Sequence, residues 1–334
     1  MLVIDASPFG PTLALLPAMR ALRGSYPDSL IVCATSSGTC QLLSAAGFVD
    51  DTIDLGVIKS SDRRYASALR RLATLIRGSR RYNFDLVLDF SPRLETQIAS
   101  RLILRARTIT PSRLPSMQAV LDFVGVPGAF DRLGLSNHKS VLAQAGSEMT
   151  DNAFRVTLPD EEHARFEERL AKAGSRGGEL IVMLYAANPN DSRAWPVEAF
   201  AETARRLANN FDARIIAADV PSDSAFTDAL RAFPVAAITP GFNKIAEPRA
   251  VELIAAIARA SILITDEPAI AQLASELGTP VIEIGESAAR SFVKSQGHRI
   301  KESSSRKRVT IEEVYETACE LIQESRSSSL FQRP

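Results

Sequence analysis

The chain is poor in the residues that build metal and redox centres. Its 334 residues include three cysteines, Cys33, Cys40 and Cys319, and three histidines, His138, His163 and His298. The cysteines are odd in number and unpatterned, so they offer no metal framework and suit a reducing cytoplasm. The histidines are scattered, which argues against a His-rich metal centre. No apolar run approaches the ~20 residues needed to span a bilayer. Met1–Asp5 reads as a first strand, without the basic start of a signal peptide. No G-x-G-x-x-G follows that strand and no G-x-x-x-x-G-K-[ST] occurs anywhere, which disfavours a dinucleotide oxidoreductase and a P-loop enzyme.

What is present is an ordinary globular composition, 46% hydrophobic and 23% charged, over a length suited to two domains. The formal net charge is zero, but it is unevenly spread. Residues 1–150 hold 17 Lys/Arg against 12 Asp/Glu, and the remainder 22 against 27. The basic excess gathers at Arg63, Arg64, Arg70, Arg71, Arg77, Arg80 and Arg81. A solvated helix face is the plainer reading. A surface for an anionic partner, such as a phosphorylated glycolipid or the inner leaflet, is the sharper one. Nucleic acid is not expected, because the patch has little aromatic interleaving and the whole chain is neutral.

Apolar runs alternate with helical periodicity twice along the chain. The first half predicts strands at Leu2–Asp5, Leu30–Thr35 and Phe84–Phe90. Helices are predicted at Thr12–Arg23, Gly38–Ala46 (ended by Gly47), Ser61–Arg77 and Leu94–Leu104. Between about Gly125 and Val156 the pattern weakens, and this stretch reads as an interdomain connection. The second half predicts strands at Leu180–Leu184, Ala213–Ala218, Ser261–Thr265 and Pro280–Ile284. Its helices fall at Glu161–Ala173, Val197–Asn209, Asp223–Ala232, Ala250–Ala260 and Pro268–Leu277. A polar tail from Glu302 to Arg308 precedes a last helix, Thr310–Gln323, opened by the capping box of Thr310 and Glu313. The order predicts two α/β domains, 1–150 and 151–334, each a parallel sheet with helices on both faces. Helix 310–323 is free in this reading to pack back on the N-terminal domain.

One stretch carries the most chemical information. Ala260–Thr265 leads as a strand into Asp266-Glu267, then a helix with Ile270, Leu273, Ala274 and Leu277 on one face, then Gly278-Thr279-Pro280 and a strand. Ligands of open α/β sheets bind at the carboxyl ends of strands, and two acids at such an end mark a candidate site.

Four blocks together resemble glycosyltransferase family 9, the ADP-heptose:lipopolysaccharide heptosyltransferases. They are Leu2-Val3-Ile4-Asp5-Ala6-Ser7-Pro8-Phe9-Gly10-Pro11 with the Leu16–Arg23 helix, then Tyr82–Phe90, then Ile181–Leu184 through Arg193-Ala194-Trp195-Pro196, and lastly the acidic stretch above. The resemblance implies a GT-B fold: two Rossmann-like domains whose parallel sheets face a central cleft. It implies inverting, metal-independent transfer of a sugar, heptose from ADP-heptose, to a lipopolysaccharide-type or other cell-envelope glycan. No cofactor is implied beyond the substrate nucleotide sugar. The partners would be that nucleotide sugar and an anionic glycolipid or glycan acceptor. The location would be cytoplasmic, with peripheral contact at the inner membrane as an extension.

The departures fall at the chemistry. Where the family has Gly-Asp, with the presumed base, this chain has Gly10-Pro11, and proline accepts no proton. The family's basic residue at the end of strand one is Asp5 here. Its His-Pro-Gly corresponds to Tyr185-Ala186-Ala187, and its lysine before Trp-Pro to Arg193, which keeps the charge. Its Asp-Ser-Gly-Pro-x-His corresponds to Glu267-Pro268-Ala269-Ile270-Ala271-Gln272. On these positions Asp5 becomes the candidate base, with a loop-bonding aspartate as the plain alternative. Tyr185, Arg193, Asp266, Glu267 and Gln272 become the donor-side candidates, and Gly10 and Asp89 the acceptor-side ones. Arg193 would face the departing diphosphate; as a plain reading it is a surface arginine at a helix start. Glu267 is equally readable as a carboxylate serving its own helix dipole, Tyr185 and Trp195 as packing residues, and Asp89 as a turn residue. A non-catalytic paralogue that binds a glycan, nucleotide or partner enzyme is the alternative function.

Overall fold

A computed structural model describes residues 1–7, 12–13, 15–56, 58, 65–102, 106–111, 134–148, 160–175, 178–186, 194–218, 230, 250–286, 298–303 and 309–331. The chain forms two units, Met1–Arg155 and Val156–Pro334. Each is built on a five-stranded, wholly parallel sheet.

In the first unit the strands are β1 (Leu2–Ile4), β2 (Val32–Thr35), β3 (Asp51–Asp54), β4 (Leu86–Asp89) and β5 (Arg107–Ile109), in the order β3-β2-β1-β4-β5. The three residues of β1 are buried, as parallel pairing with helices on both faces demands. Helix α1 (Leu15–Ser25) buries Leu15, Leu16, Met19 and Leu22 on one stripe. Helix α2 (Ser37–Ala45) stops where Gly47 takes φ +69°, with the Phe48 N–H reaching back to the Leu43 carbonyl at 3.4 Å. Helices α3 (Tyr65–Ser79) and α4 (Leu94–Leu102) pack together. They are tied by Arg71 and Glu95 at 3.1 Å, both nearly excluded from water.

The stretch read as a plain connection holds a further helix, α5 (Gly134–Gln144), packed on α1. Ser147 from its end meets Ser25 at 2.9 Å. Its pattern was obscured because its apolar positions are few: Val141 and Leu142 are buried beside a polar His138.

In the second unit helix α6 (Asp160–Lys172) precedes β6 (Ile181–Tyr185), α7 (Val197–Phe211), β7 (Arg214–Ala218), α8 (Ala250–Arg259), β8 (Ile262–Thr265), α9 (Pro268–Glu276), β9 (Val281–Glu286), β10 (His298–Ser303) and α10 (Ile311–Phe331). The strand order is β10-β9-β8-β6-β7. The expected helix Asp223–Ala232 lies outside the described residues except for Leu230, which is helical and buried. The start of the supposed polar tail belongs instead to β10, an edge strand whose charged residues carry little strand signal.

Helix α10 is longer than its sequence pattern indicates, and its capping box is formed. The Thr310 N–H donates to Glu313 Oε2 at 2.8 Å and the Glu313 N–H to Thr310 Oγ1 at 3.2 Å. Its buried face (Val314, Ala318, Leu321 and Ile322) joins the core of the second unit with Trp195 and Phe200.

The only tryptophan, Trp195, ties this arrangement. Its ring meets Phe200 edge-on at 4.7 Å, and its indole N–H donates to the Val309 carbonyl at 3.0 Å, just ahead of α10. Trp195→Phe keeps a ring and orphans that carbonyl, and should lower the unfolding free energy by about 1–3 kcal/mol. Trp195→Ala should cost about 3–5 kcal/mol. Urea denaturation followed by circular dichroism measures both; equal stability of all three proteins would contradict this role.

Candidate functional site

Each sheet reverses its winding once: between β1 and β4 in the first unit, and between β6 and β8 in the second. Helices leave opposite faces there, and a crevice opens at the carboxyl ends of the strands. The candidate residues sort onto these two places.

In the first unit, Ile4 of β1 and Asp89 of β4 are register partners. The Phe90 N–H donates to the Ile4 carbonyl at 2.9 Å, the Asp5 N–H to the Ala34 carbonyl at 2.9 Å, and the Ala6 N–H to Ser91 Oγ at 2.6 Å. Asp5 is therefore held between β2 and β4. It is 1% exposed, and its Oδ1 accepts the Ser7 N–H at 3.0 Å. This is the local turn geometry of a loop-shaping aspartate.

Ile4 lies in the core with Val87, Leu75 of α3 and Ala99 of α4. Strand alternation then puts Asp89 on that same α3–α4 side and Asp5 on the other. The two carboxylates flank the switch point from opposite faces. Asp89 is fully buried; its Oδ2 accepts the Thr96 hydroxyl at 2.7 Å, and its Oδ1 has no hydrogen-bond partner. Burial pushes the Asp89 carboxyl up to about 7, with the charge of Asp5 adding to it; the hydrogen bonds from Thr96 and Ser91 pull the other way. This carboxyl therefore keeps its proton well above the pH at which an ordinary aspartate loses it.

A row of hydroxyls that the sequence reading missed gathers at the end of β2, the strand whose Ala34 carbonyl takes the Asp5 N–H. Thr12 and Thr39 meet at 3.0 Å, and Thr39 and Ser36 at 3.0 Å, at the carboxyl end of β2. The signal was there in Ser36-Ser37-Gly38-Thr39, hydroxyl residues where a strand turns into a helix. Gly10, together with Pro11, lies outside the described residues.

In the second unit, Tyr185 closes β6 and is a register partner of Ala218 and Thr265, buried at the sheet end. Asp266 follows β8 and accepts the Trp195 N–H at 3.3 Å. Glu267 caps α9. Its carboxylate accepts the Ala269 N–H at 3.4 Å, and its carbonyl takes the Ile270 and Ala271 N–H groups at 3.1 and 3.0 Å. Pro268 has no N–H to give. The first-turn donors of this helix are thus absent or used within it.

Gln272 is 1% exposed; its amide donates to Glu276 at 2.7 Å while its Oε1 has no partner. Tyr185, Thr265, Asp266 and Glu267 are brought together at one sheet end. Gln272 sits a turn further along α9, and Arg193 lies outside the described residues. Among the described residues no group of three or more His, Cys, Asp or Glu is arranged to hold a metal ion.

Two parallel Rossmann-like units of this kind make a GT-B fold. Among solved structures the chain is similar to the glycosyl transferase family 9 protein of Veillonella parvula, with a TM-score of 0.70 at 15% identity over 97% of both chains. It is also similar to the E. coli ADP-heptose lps heptosyltransferase II (TM-score 0.63, 15% identity, 97% of this chain and 99% of the other). E. coli heptosyltransferase WaaC with ADP-2-deoxy-2-fluoro heptose gives 0.62 at 17% identity, over 96% and 98%. No family model matches the sequence, and no curated protein matches it significantly. At these identities the likeness is one of fold: the family suggested by the sequence blocks and the architecture agree.

The raised Asp89 carboxyl has a measurable consequence. A group protonated in the folded chain up to about pH 7, against an ordinary 3.8, contributes stability that is fully present at low pH and lost as pH rises through 7. Relative to Asp89→Asn, which keeps an acceptor for Thr96, the wild-type protein should lose about 1.4 kcal/mol per pH unit between roughly pH 4 and pH 7. Parallel stability–pH curves for the two proteins would show that Asp89 ionises normally.

Proposed function

We propose that the protein is a glycosyltransferase that moves a sugar from a nucleotide sugar to a cell-envelope glycan, with ADP-heptose and a lipopolysaccharide-type acceptor as the first pair to test. One observation carries this reading: the fold of family 9 glycosyltransferase and heptosyltransferase structures extends over at least 96% of this chain. In such a reaction a base takes the acceptor proton as the hydroxyl attacks the anomeric carbon, and the diphosphate leaves from the opposite side.

Asp5 is the candidate for the base, since Pro11 stands where the family has its aspartate. Gly10 and Asp89 belong to the acceptor side. Tyr185, Arg193, Asp266, Glu267 and Gln272 belong to the donor side, Arg193 gripping the diphosphate and the two acids accepting from sugar hydroxyls. Positioning supplies much of the remaining acceleration. The reading places the protein in the cytoplasm, working at the inner face of the membrane on an anionic glycolipid; among the described residues no helix is long and apolar enough to cross that membrane.

A second reading, a non-catalytic paralogue that binds a glycan, nucleotide or partner protein, is favoured by the accounting at α9. A helix N-terminus receives a phosphate through free N–H groups; here Pro268 has none and Glu267 takes up the next three.

The two readings separate experimentally. Under the first, the protein turns over ADP-heptose or another nucleotide sugar in the presence of a truncated lipopolysaccharide, and Asp5→Asn lowers the rate about a hundredfold to ten-thousandfold with the melting temperature little changed. Under the second, a panel of nucleotide sugars produces neither turnover nor a thermal shift. Undiminished transfer by Asp5→Asn would remove Asp5 from the role of base.

A further inference from the structure

The arginines concentrated in the first unit have different uses. Arg71 is buried in its pair with Glu95. Arg23 binds the carbonyls of Phe48, Pro27 and Ser29 and the carboxylate of Asp50. Arg77 and Arg81 do nothing of the kind. Both are exposed, and among the described residues neither side chain makes a hydrogen bond or ion pair. Arg77 is in the last turn of α3, and Arg81 is in the turn that follows it.

Between them lies Gly78. A Cβ there would come within 2.8 Å of the Ile53 side chain, so glycine is what lets the last turn of α3 close on β3. A hollow of about 280 Å³ remains beside this contact, near the lower end of the volumes that hold small ligands. Arg77 and Arg81 line it together with Thr52, Thr74, Asp51 and Tyr82. The Asp51 carboxylate is fixed in place: Tyr82 donates its hydroxyl to Oδ2, and the Thr52 N–H donates to Oδ1 at 2.7 Å. These bonds, with the nearby charge of Arg81, hold it below the usual carboxylate range, so it stays ionised.

The lining therefore combines two guanidiniums, two threonines and one carboxylate: the charge of Arg81 acts on Asp51, while Arg77 has no ion-pair partner among the described residues, so the hollow keeps a net positive charge. Guanidiniums match phosphate oxygens in fork geometry, and a fixed carboxylate accepts from hydroxyl groups. Asp51 opens β3 beside Val32, the first residue of β2. The hollow thus lies toward the amino end of the sheet, away from Asp5 and Asp89 at the carboxyl end.

We infer that this hollow is a second ligand site, binding a phosphate ester of a small polyol, with Arg77 and Arg81 on the phosphate and Asp51 on a hydroxyl. Two sources share that chemistry, a free sugar phosphate and the glycerophosphate headgroup of an anionic lipid.

The test uses the full chain, with glucose 6-phosphate in calorimetric titration as one arm and co-sedimentation with phosphatidylglycerol vesicles as the other. Glucose and phosphatidylcholine vesicles serve as controls. Binding of glucose 6-phosphate at roughly millimolar strength, weakened about tenfold or more by Arg77→Gln with Arg81→Gln, is the expected result and identifies a soluble ligand. Thr74→Trp, which fills the hollow without changing its charge, should weaken it as well. Binding only to phosphatidylglycerol vesicles, lost in the same variants, identifies the headgroup instead. Failure of both probes to bind, or binding that survives these substitutions in proteins with unchanged melting temperatures, overturns the assignment. Neither arm depends on sugar transfer, so the site stands or falls separately from the proposed activity.

Discussion

Parallel pairing of β1 with β4, and of β6 with β8, is the constraint on which the structure depends. A parallel pair cannot be joined by a tight turn, so each connection crosses a face of the sheet, usually as a helix. Where successive crossings change sides, the strand ends are left uncovered. The backbone bonds around Ile4, Asp5 and Phe90, and the register of Tyr185 with Thr265, place side chains at those two openings. The residues there are polar although the strands that deliver them are almost wholly apolar.

The two openings differ chemically. At the first, two buried carboxylates flank the sheet from opposite faces, hydroxyls gather at the end of the neighbouring strand β2, and burial pushes the Asp89 carboxyl up to about 7. At the second, the carboxylates are engaged in structural bonds, Asp266 with the Trp195 backbone and Glu267 with the start of α9. The second opening is thus partly satisfied by its own residues.

Most central elements were legible in the sequence because central parallel strands are buried on both faces and read as apolar runs. The runs that became β1, β2, β4, β6 and β8 are of this kind. Three strands escaped that reading, β3, β5 and β10, and all three lie at sheet edges. Asp51–Asp54 and His298–Ser303 carry charge along their length, as edge strands do where they must not recruit another chain. β7, also an edge, was readable because Ile215 and Ile216 are buried. Helix α5 was hidden for a related reason: it covers one side of α1 with few apolar residues.

The candidate site was legible as positions and only partly as chemistry. That Asp5, Asp89, Tyr185, Asp266 and Glu267 stand at strand ends follows from where the apolar runs stop. What each carboxylate does there depends on groups distant in sequence or turned toward it by the loop. Thr96 bonds Asp89 across a helix start, Ser7 turns back onto Asp5, and the Trp195 amide reaches Asp266 from 71 residues away. By itself the sequence determined two α/β units, their central strands and the helix caps, because periodicity, apolar runs and capping pairs act over a few residues. Only the tertiary structure decided which polar groups are desolvated, which hydrogen bonds they find and which arginines are drawn into ion pairs, because burial and pairing are set by contacts that the order of residues does not contain.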